Sequence, residues 1–300
     1  MFSNRRDFLK KVGGIALAGS VIPDVWAANL VGKPRISKIG VQLYTAMGAM
    51  EQDTEGTLRA IAQIGYKELE TAGSRKGGYY GKSAKEFAAF AKELGMSWKS
   101  HHITAAPRTS SSSTNTAGRP AMKTLRDNYQ EVVDDMAAAG VPFLVCSSAP
   151  IKTLDEVKQS MEIFQKTGEA CQKAGITFAF HNHSAEFELV ESVKPYDLFT
   201  KELSSDILKF ELDVAWAMRA GVDPLTLFKS HPGRFPLLHI KDVEKETFKP
   251  VEIGKGFVDY RPVLAAIRMA GTKHIFVEQD AAPKPLENLT TSFTALQKLI

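Results

Sequence analysis

The sequence predicts an α/β fold, a (β/α)8 barrel, on three observations. Apolar runs of strand length recur eight times, helical patterns fill the gaps between them, and no glycine-rich phosphate loop follows the first run. Strand and helix alternating eight times over about 270 residues suits a barrel, for which ~250 residues is usual. A doubly wound open sheet is the alternative. It would carry its phosphate loop where this chain reads VQLYTAMGAM.

Taken in order, the strand runs are KIGVQLYTA (38–46), YKELETA (66–72), MSWKSHHI (96–103), PFLVCSS (142–148), ITFAFHNH (176–183), LKFELDVAW (208–216), FPLLHIKD (235–242) and HIFVEQDA (274–281). Between them stand helical patterns such as TEGTLRAIAQIG, SAKEFAAFAKELG, TLRDNYQEVVDDMAAAG, TLDEVKQSMEIFQKTGEACQKAG and DYRPVLAAIRMAG. Each closes on a glycine, the residue that tolerates the left-handed conformation of a helix C-terminus. One segment breaks the rhythm: TAAPRTSSSSTNTAGRP (104–120) is rich in Ser and Thr and follows the third strand. A barrel puts it on the C-terminal face, as a lid or as an insertion without a role.

The first 27 residues fall outside the repeat. SNRRDFLKKVGGIALAGSVIPDVWAA carries Arg5 and Arg6, a weakly apolar stretch softened by Gly13, Gly14 and Gly19, and small residues around Ala27. That is the layout of a twin-arginine export signal, too short and glycine-rich for a good membrane span. The expected organisation is a signal at 1–27 and a barrel domain at 28–300, located in the periplasm or exported. Losing the signal takes the formal charge from +4 to +2, and no basic stripe with interleaved aromatics remains. Nucleic acid is therefore excluded as a first reading, and no stable membrane anchor is expected. Cys146 and Cys171 are expected as buried free thiols, because they fall at opposite ends of one strand–helix unit.

The strand ends carry chemistry. His181 and His183 close the fifth run, Glu211 and Asp213 the sixth, His239 and Lys241 the seventh, Glu278 and Asp280 the eighth; Glu68 and Glu70 close the second and His102 the third. Residues two apart on a strand share a face, and at the C-terminal end of a barrel strand that face is the mouth. Ionisable groups on strand after strand are costly unless they meet a cation and each other. Mixed imidazole and carboxylate donors suit manganese, zinc, cobalt or iron better than calcium, with magnesium less favoured.

The motifs HNH, ELDVAWAMRAGVDP, LLHIKD, EIGKGFVDY and FVEQD, with the N-terminal GVQLYT, resemble the sugar phosphate isomerase/epimerase family of the xylose isomerase-like TIM barrel superfamily, from about Ile36 to the C-terminus. Such barrels bind a divalent metal through a carboxylate on strand five, Asp on six, His on seven and Glu on eight. The resemblance thus implies Asp213, His239 and Glu278 as ligands. It departs at strand five, where His181 stands at the usual glutamate position; a similar histidine in the inosose dehydratase branch keeps it as the fourth ligand. Glu278, Lys241, His183 and Glu70 are the candidate acid and base groups. His102, Trp216, Gln42 and Asp280 are the candidate substrate contacts. Manganese or zinc is the expected cofactor, with cobalt, iron or magnesium as alternatives.

The expected function is an exported, metal-dependent sugar isomerase or epimerase that abstracts a proton next to a carbonyl. A lyase or dehydratase acting on a keto-sugar or keto-glycoside, and a non-catalytic periplasmic sugar-binding barrel, are the alternatives. An abasic-site endonuclease would need more ligands and a basic DNA face. The partner is a small carbohydrate, unphosphorylated if the protein is exported, and homo-oligomerisation stays open. If the signal is cleaved, N-terminal sequencing of the exported protein should begin near Ala28, and Arg5→Lys with Arg6→Lys should block export. A full-length periplasmic chain would contradict cleavage.

Overall fold

The computed structural model describes residues 36–106 and 122–300. The expected signal at 1–27 lies outside the described residues, as does most of the 104–120 segment. Eight parallel strands close into a barrel in the order β1-β10-β7-β6-β5-β4-β3-β2: β1 is Gly40–Gln42, β2 Glu68–Thr71, β3 Ser97–Thr104, β4 Phe143–Ser148, β5 Thr177–His181, β6 Lys209–Asp213, β7 Leu237–Ile240 and β10 His274–Val277. Two short strands, β8 (Asp242–Val243) and β9 (Pro250–Val251), form an antiparallel hairpin after β7 that the sequence reading did not contain. No helix among the described residues is long and apolar enough to cross a membrane.

Alternation along the strands sorts the side chains. One parity faces the helices: Leu144 and Cys146, Phe178 and Phe180, Phe210 and Leu212 join the large outer core. The other parity faces inward, where Phe143, Val145, Ala179, Leu237 and Phe276 form a small apolar plug. Gly40 makes room for that plug, since a Cβ there would stand 2.5 Å from the Phe276 ring. Above the plug the inward positions turn polar, with Gln42, Glu70, His102, His181, Glu211, Asp213 and His239 all buried. Below it, His274 Nδ1 pairs with Glu68 Oε2 at 2.7 Å, so Glu68 belongs to the opposite end from its neighbour Glu70.

Several strands stop earlier than their apolar runs, and side chains end them. Gln42 accepts from the Tyr44 amide at 3.0 Å and turns the chain into a 3-10 turn, Leu43–Ala46, where the run 38–46 had continued. Asp213 accepts from the Trp216 amide at 2.9 Å and starts the helix Val214–Arg219 inside the predicted run 208–216. The single helix expected over DYRPVLAAIRMAG is two, Tyr260–Ala265 and Ile267–Ala270. Asp242 is buried and accepts from the amides of Val243, Gly254, Gly256 and Val258, at 2.8 to 3.1 Å. It ties down the loop after β7. Gly256 is required there, because a Cβ would come within 2.1 Å of Asp242 Oδ1. Cys146 and Cys171 are free and buried.

Candidate metal centre and active site

β5, β6, β7 and β10 bring four residues to one point at the C-terminal end of the barrel. Asp213 on β6 lies in register with His239 on β7, His181 closes β5, and Glu278 follows the last residue of β10. One donor atom from each of His181, Asp213, His239 and Glu278 lies within 4.8 Å of the others, and all four residues are buried. His239 Nδ1 stands 3.0 Å from Glu278 Oε2 and 4.0 Å from Asp213 Oδ2. Asn182, between the two histidines, fixes the relative height of two of these strands. Its Oδ1 accepts from the Asp213 amide at 3.0 Å and its Nδ2 donates to the Asp213 carbonyl at 3.2 Å. The sequence reading missed Asn182, because alternation sends it away from the mouth.

Asp213 tests whether a cation fits. Its Oδ1 is used by the helix cap, whereas its Oδ2 is fully buried with no hydrogen-bond partner among the described residues, only the Lys241 ammonium 3.1 Å away as an ion pair. Two imidazoles and two carboxylates around such an oxygen fit a first-row divalent metal. Burial raises the Asp213 carboxyl, the response of a carboxylate short of positive charge. At Glu278 burial also works upward, but Lys241 and His239 outweigh it and hold the carboxylate well below its ordinary range.

Lys241 is 1% exposed, and its Nζ lies 2.7 Å from Asp280 Oδ2 and 2.8 Å from Glu278 Oε2. Burial disfavours its charge, yet Asp213, Glu278 and Asp280 overcome that and hold the ammonium well above its ordinary value. Its sequence neighbour Asp242 is occupied by its loop. Lys241 is therefore a charged donor.

His183 stands past the end of β5, half-buried, its ring 5.0 Å from that of His181 and 5.7 Å from that of Trp216. Burial and the nearby Lys241 charge push His183 down to about 4. It belongs to no ligand group and flanks the centre from the mouth side, as the two-residue spacing implies. Trp216, a candidate substrate contact, carries the Lys241 ammonium 5.2 Å and the Arg219 guanidinium 5.0 Å from its ring, so two cations already sit over it.

Three candidates sit deeper than expected. Gln42, a predicted substrate contact, is fully buried and spends both ends of its amide, donating to Glu70 Oε1 at 2.9 Å and accepting from Tyr44. Glu70, a predicted acid or base, is fully buried against His239 Nε2 at 2.5 Å. His102, a predicted substrate contact, lies 2.5 Å from Glu211 Oε2 and 3.2 Å from Glu70 Oε1, stacked 5.2 Å from the His239 ring. All three face one another inside the barrel. Inward alternation from strands this short in a narrow barrel leaves no open space at their level. Two buried groups had no role in the sequence reading of the site: Glu211, named at the end of its strand beside Asp213 but assigned none, and Glu186, which was not named and accepts from the His183 amide at 2.8 Å.

Residues 58–299 match the family described as xylose isomerase-like TIM barrel. A sugar phosphate isomerase/epimerase from Parabacteroides distasonis ATCC 8503 is similar at 28% identity over 89% of this chain and 96% of its own, with a TM-score of 0.72. A second one from the same organism is similar at 25% identity over 87% and 98%, with a TM-score of 0.73. An IOLI protein solved with a bound zinc atom shares the fold at 14% identity over 87% and 97%, with a TM-score of 0.65. No curated protein matches the chain in sequence.

Two outcomes follow. Asp213→Ala, His239→Ala and Glu278→Ala should each strip metal from a folded barrel, and His181→Ala should weaken affinity roughly 10-fold or more; full occupancy by elemental analysis in the first three would refute the ligand set. In metal-free protein, His102 is raised to about 9, since Glu70 and Glu211 overcome its burial, against an ordinary 6.5. The folded chain then holds a proton that the unfolded chain has lost, so stability should fall as pH rises from about 7 to 9. Thermal melts of His102→Gln should show a shallower slope across that window; an equal slope would assign the titration elsewhere.

Proposed function

The chain belongs to the xylose isomerase-like TIM barrel family, and from that premise we propose that it is a divalent-metal-dependent sugar isomerase or epimerase that moves a proton next to a carbonyl. The observation that carries this reading is the four-residue donor set around Asp213 Oδ2, an oxygen that no hydrogen bond uses among the described residues and that meets only the buried Lys241 ammonium as an ion pair, with a neutral imidazole nearby. The likeness to two sugar phosphate isomerase/epimerase structures supports the substrate class.

His181, Asp213, His239 and Glu278 would hold the metal, manganese or zinc by donor type. When bound, it would polarise a carbonyl and acidify the adjoining C–H. Lys241, kept charged by three carboxylates, stabilises negative charge developing on a substrate oxygen and returns a proton to it. His183, kept neutral by burial, accepts the proton from carbon. Asp280 orients Lys241 at 2.7 Å. Glu70 and Gln42 act on substrate only through His239, which Glu70 touches.

One feature favours a second reading. His181 occupies strand five where a carboxylate would supply a matching acid/base group on the other substrate face, so the site is asymmetric. Elimination from a keto-sugar or keto-glycoside needs one base at carbon and one donor to the leaving oxygen, the roles of His183 and Lys241. We read the protein as exported, with residues 1–27 as signal, and its sugar as unphosphorylated.

Metal-loaded protein incubated in D2O with neutral aldoses, ketoses and 3-keto-glycosides, followed by NMR, separates these readings. Solvent deuterium at the carbon next to the carbonyl with sugar product supports isomerisation or epimerisation; loss of the leaving group supports elimination. Binding without either would leave a sugar-binding barrel. His183→Ala should retain metal and lose turnover by about 10²-fold or more; a variant that empties the site instead would exchange the roles of His183 and His181.

A further inference from the structure

Glu70 and Glu211 each accept two hydrogen bonds at one oxygen, one from a histidine of the metal centre and one from a further buried side chain. Glu70 Oε1 accepts from His239 Nε2 at 2.5 Å and from Gln42 Nε2 at 2.9 Å. Glu211 Oε2 accepts from His181 Nδ1 at 3.2 Å and from His102 Nε2 at 2.5 Å. All six side chains are buried. The cross contacts, His102 with Glu70 and His239 with Glu211, are ion pairs at 3.2 Å. The hydrogen bonds therefore form two parallel relays, Gln42–Glu70–His239 and His102–Glu211–His181.

We propose that Glu70 and Glu211 are positioning residues that assign the metal-binding nitrogen of each histidine: Nδ1 for His239 and Nε2 for His181. An ionised carboxylate only accepts hydrogen bonds, so the ring nitrogen that faces it carries the proton and has no lone pair left for a metal. His239 gives Nε2 to Glu70, and its Nδ1 is the nitrogen that faces Glu278 and Asp213, at 3.0 and 4.0 Å. His181 gives Nδ1 to Glu211, which leaves Nε2 as its donor to the group it forms with Asp213, His239 and Glu278. The two rings thus serve one ion through opposite nitrogens. A carboxylate behind a ligating imidazole fixes its tautomer and ring orientation and raises its basicity as a ligand. Gln42 and His102 hold those carboxylates in turn, so two side chains that the sequence suggested as substrate contacts act two bonds away from the ion's ligands. The assignment rests on the metal centre proposed above and not on the reaction catalysed.

NMR of the full chain, with isotope-labelled histidine and loaded with NMR-active cadmium, tests it, because one-bond coupling between the ion and a ring nitrogen identifies the ligating atom. Coupling to Nδ1 of His239 and to Nε2 of His181 is the expected result. Coupling through the opposite nitrogen of either ring overturns the assignment and leaves the metal centre standing. A chain that retains no cadmium overturns the centre and the assignment together. Zinc affinity, measured by competition titration, reads the same relays independently. Glu70→Leu and Glu211→Leu should each weaken it roughly 10- to 100-fold, and Glu70→Gln, whose side-chain oxygen can still accept from Gln42 and His239, should recover most of that loss. Affinity equal to wild type in both leucine variants overturns the proposal. Should a leucine variant fail to fold, the coupling pattern of the wild type decides.

Discussion

Everything at the head of this barrel depends on neutralising carboxylates that water cannot reach. Glu70, Glu211, Asp213 and Glu278 project inward from β2, β6 and the end of β10 and are at most 6% exposed. An unpaired buried carboxylate costs far more than any single apolar contact returns. Lys241 and the imidazoles of His102 and His239 meet part of that charge. Asp213 Oδ2, Glu70 Oε2 and Glu211 Oε1 remain without hydrogen-bond partners among the described residues. The deficit is one of positive charge.

The backbone makes this arrangement rigid before any ligand arrives. The Asn182 amide clamps both the amide and the carbonyl of Asp213, and Asp213 itself starts the helix that follows β6. The same carboxylate therefore serves a helix cap through one oxygen and faces the centre with the other. After β7, Lys241 points into the site while its neighbour Asp242 gathers four loop amides on the opposite side. Alternation along the chain thus divides two adjacent charged residues between chemistry and architecture. Placement of this kind keeps reorganisation small when charge develops on a substrate.

The family likeness and the local chemistry point the same way and differ in one respect. Two sugar phosphate isomerase/epimerase structures share the fold over nearly their whole length. The resemblance implies a carboxylate at the strand-five position where this chain has His181, so the donor set proposed here counts two nitrogens and two carboxylates. Against that expectation a negative charge and an acid/base group are both missing, and Lys241 and His183 stand as an unequal pair, one held charged and one held neutral. An unequal pair suits a reaction that takes a proton at one atom and delivers one at another.

Eight apolar runs with helical patterns between them were enough to specify the closed barrel, because period and length are local properties of the chain. The same periodicity brought His181, Asp213, His239 and Glu278 to one face at the strand ends, since inward alternation and a common mouth leave them little else to meet. Depth was not legible. Gln42, Glu70 and His102 read as mouth residues like their neighbours, yet the stagger between strands sets them a layer lower, among groups 28 to 169 positions away in sequence. Nor could the runs show where strands stop, because Gln42 and Asp213 end them by accepting amides from the next turn. Which carboxylates face Lys241 was decided only when the barrel closed, because closure alone sets the height of each strand against its neighbours.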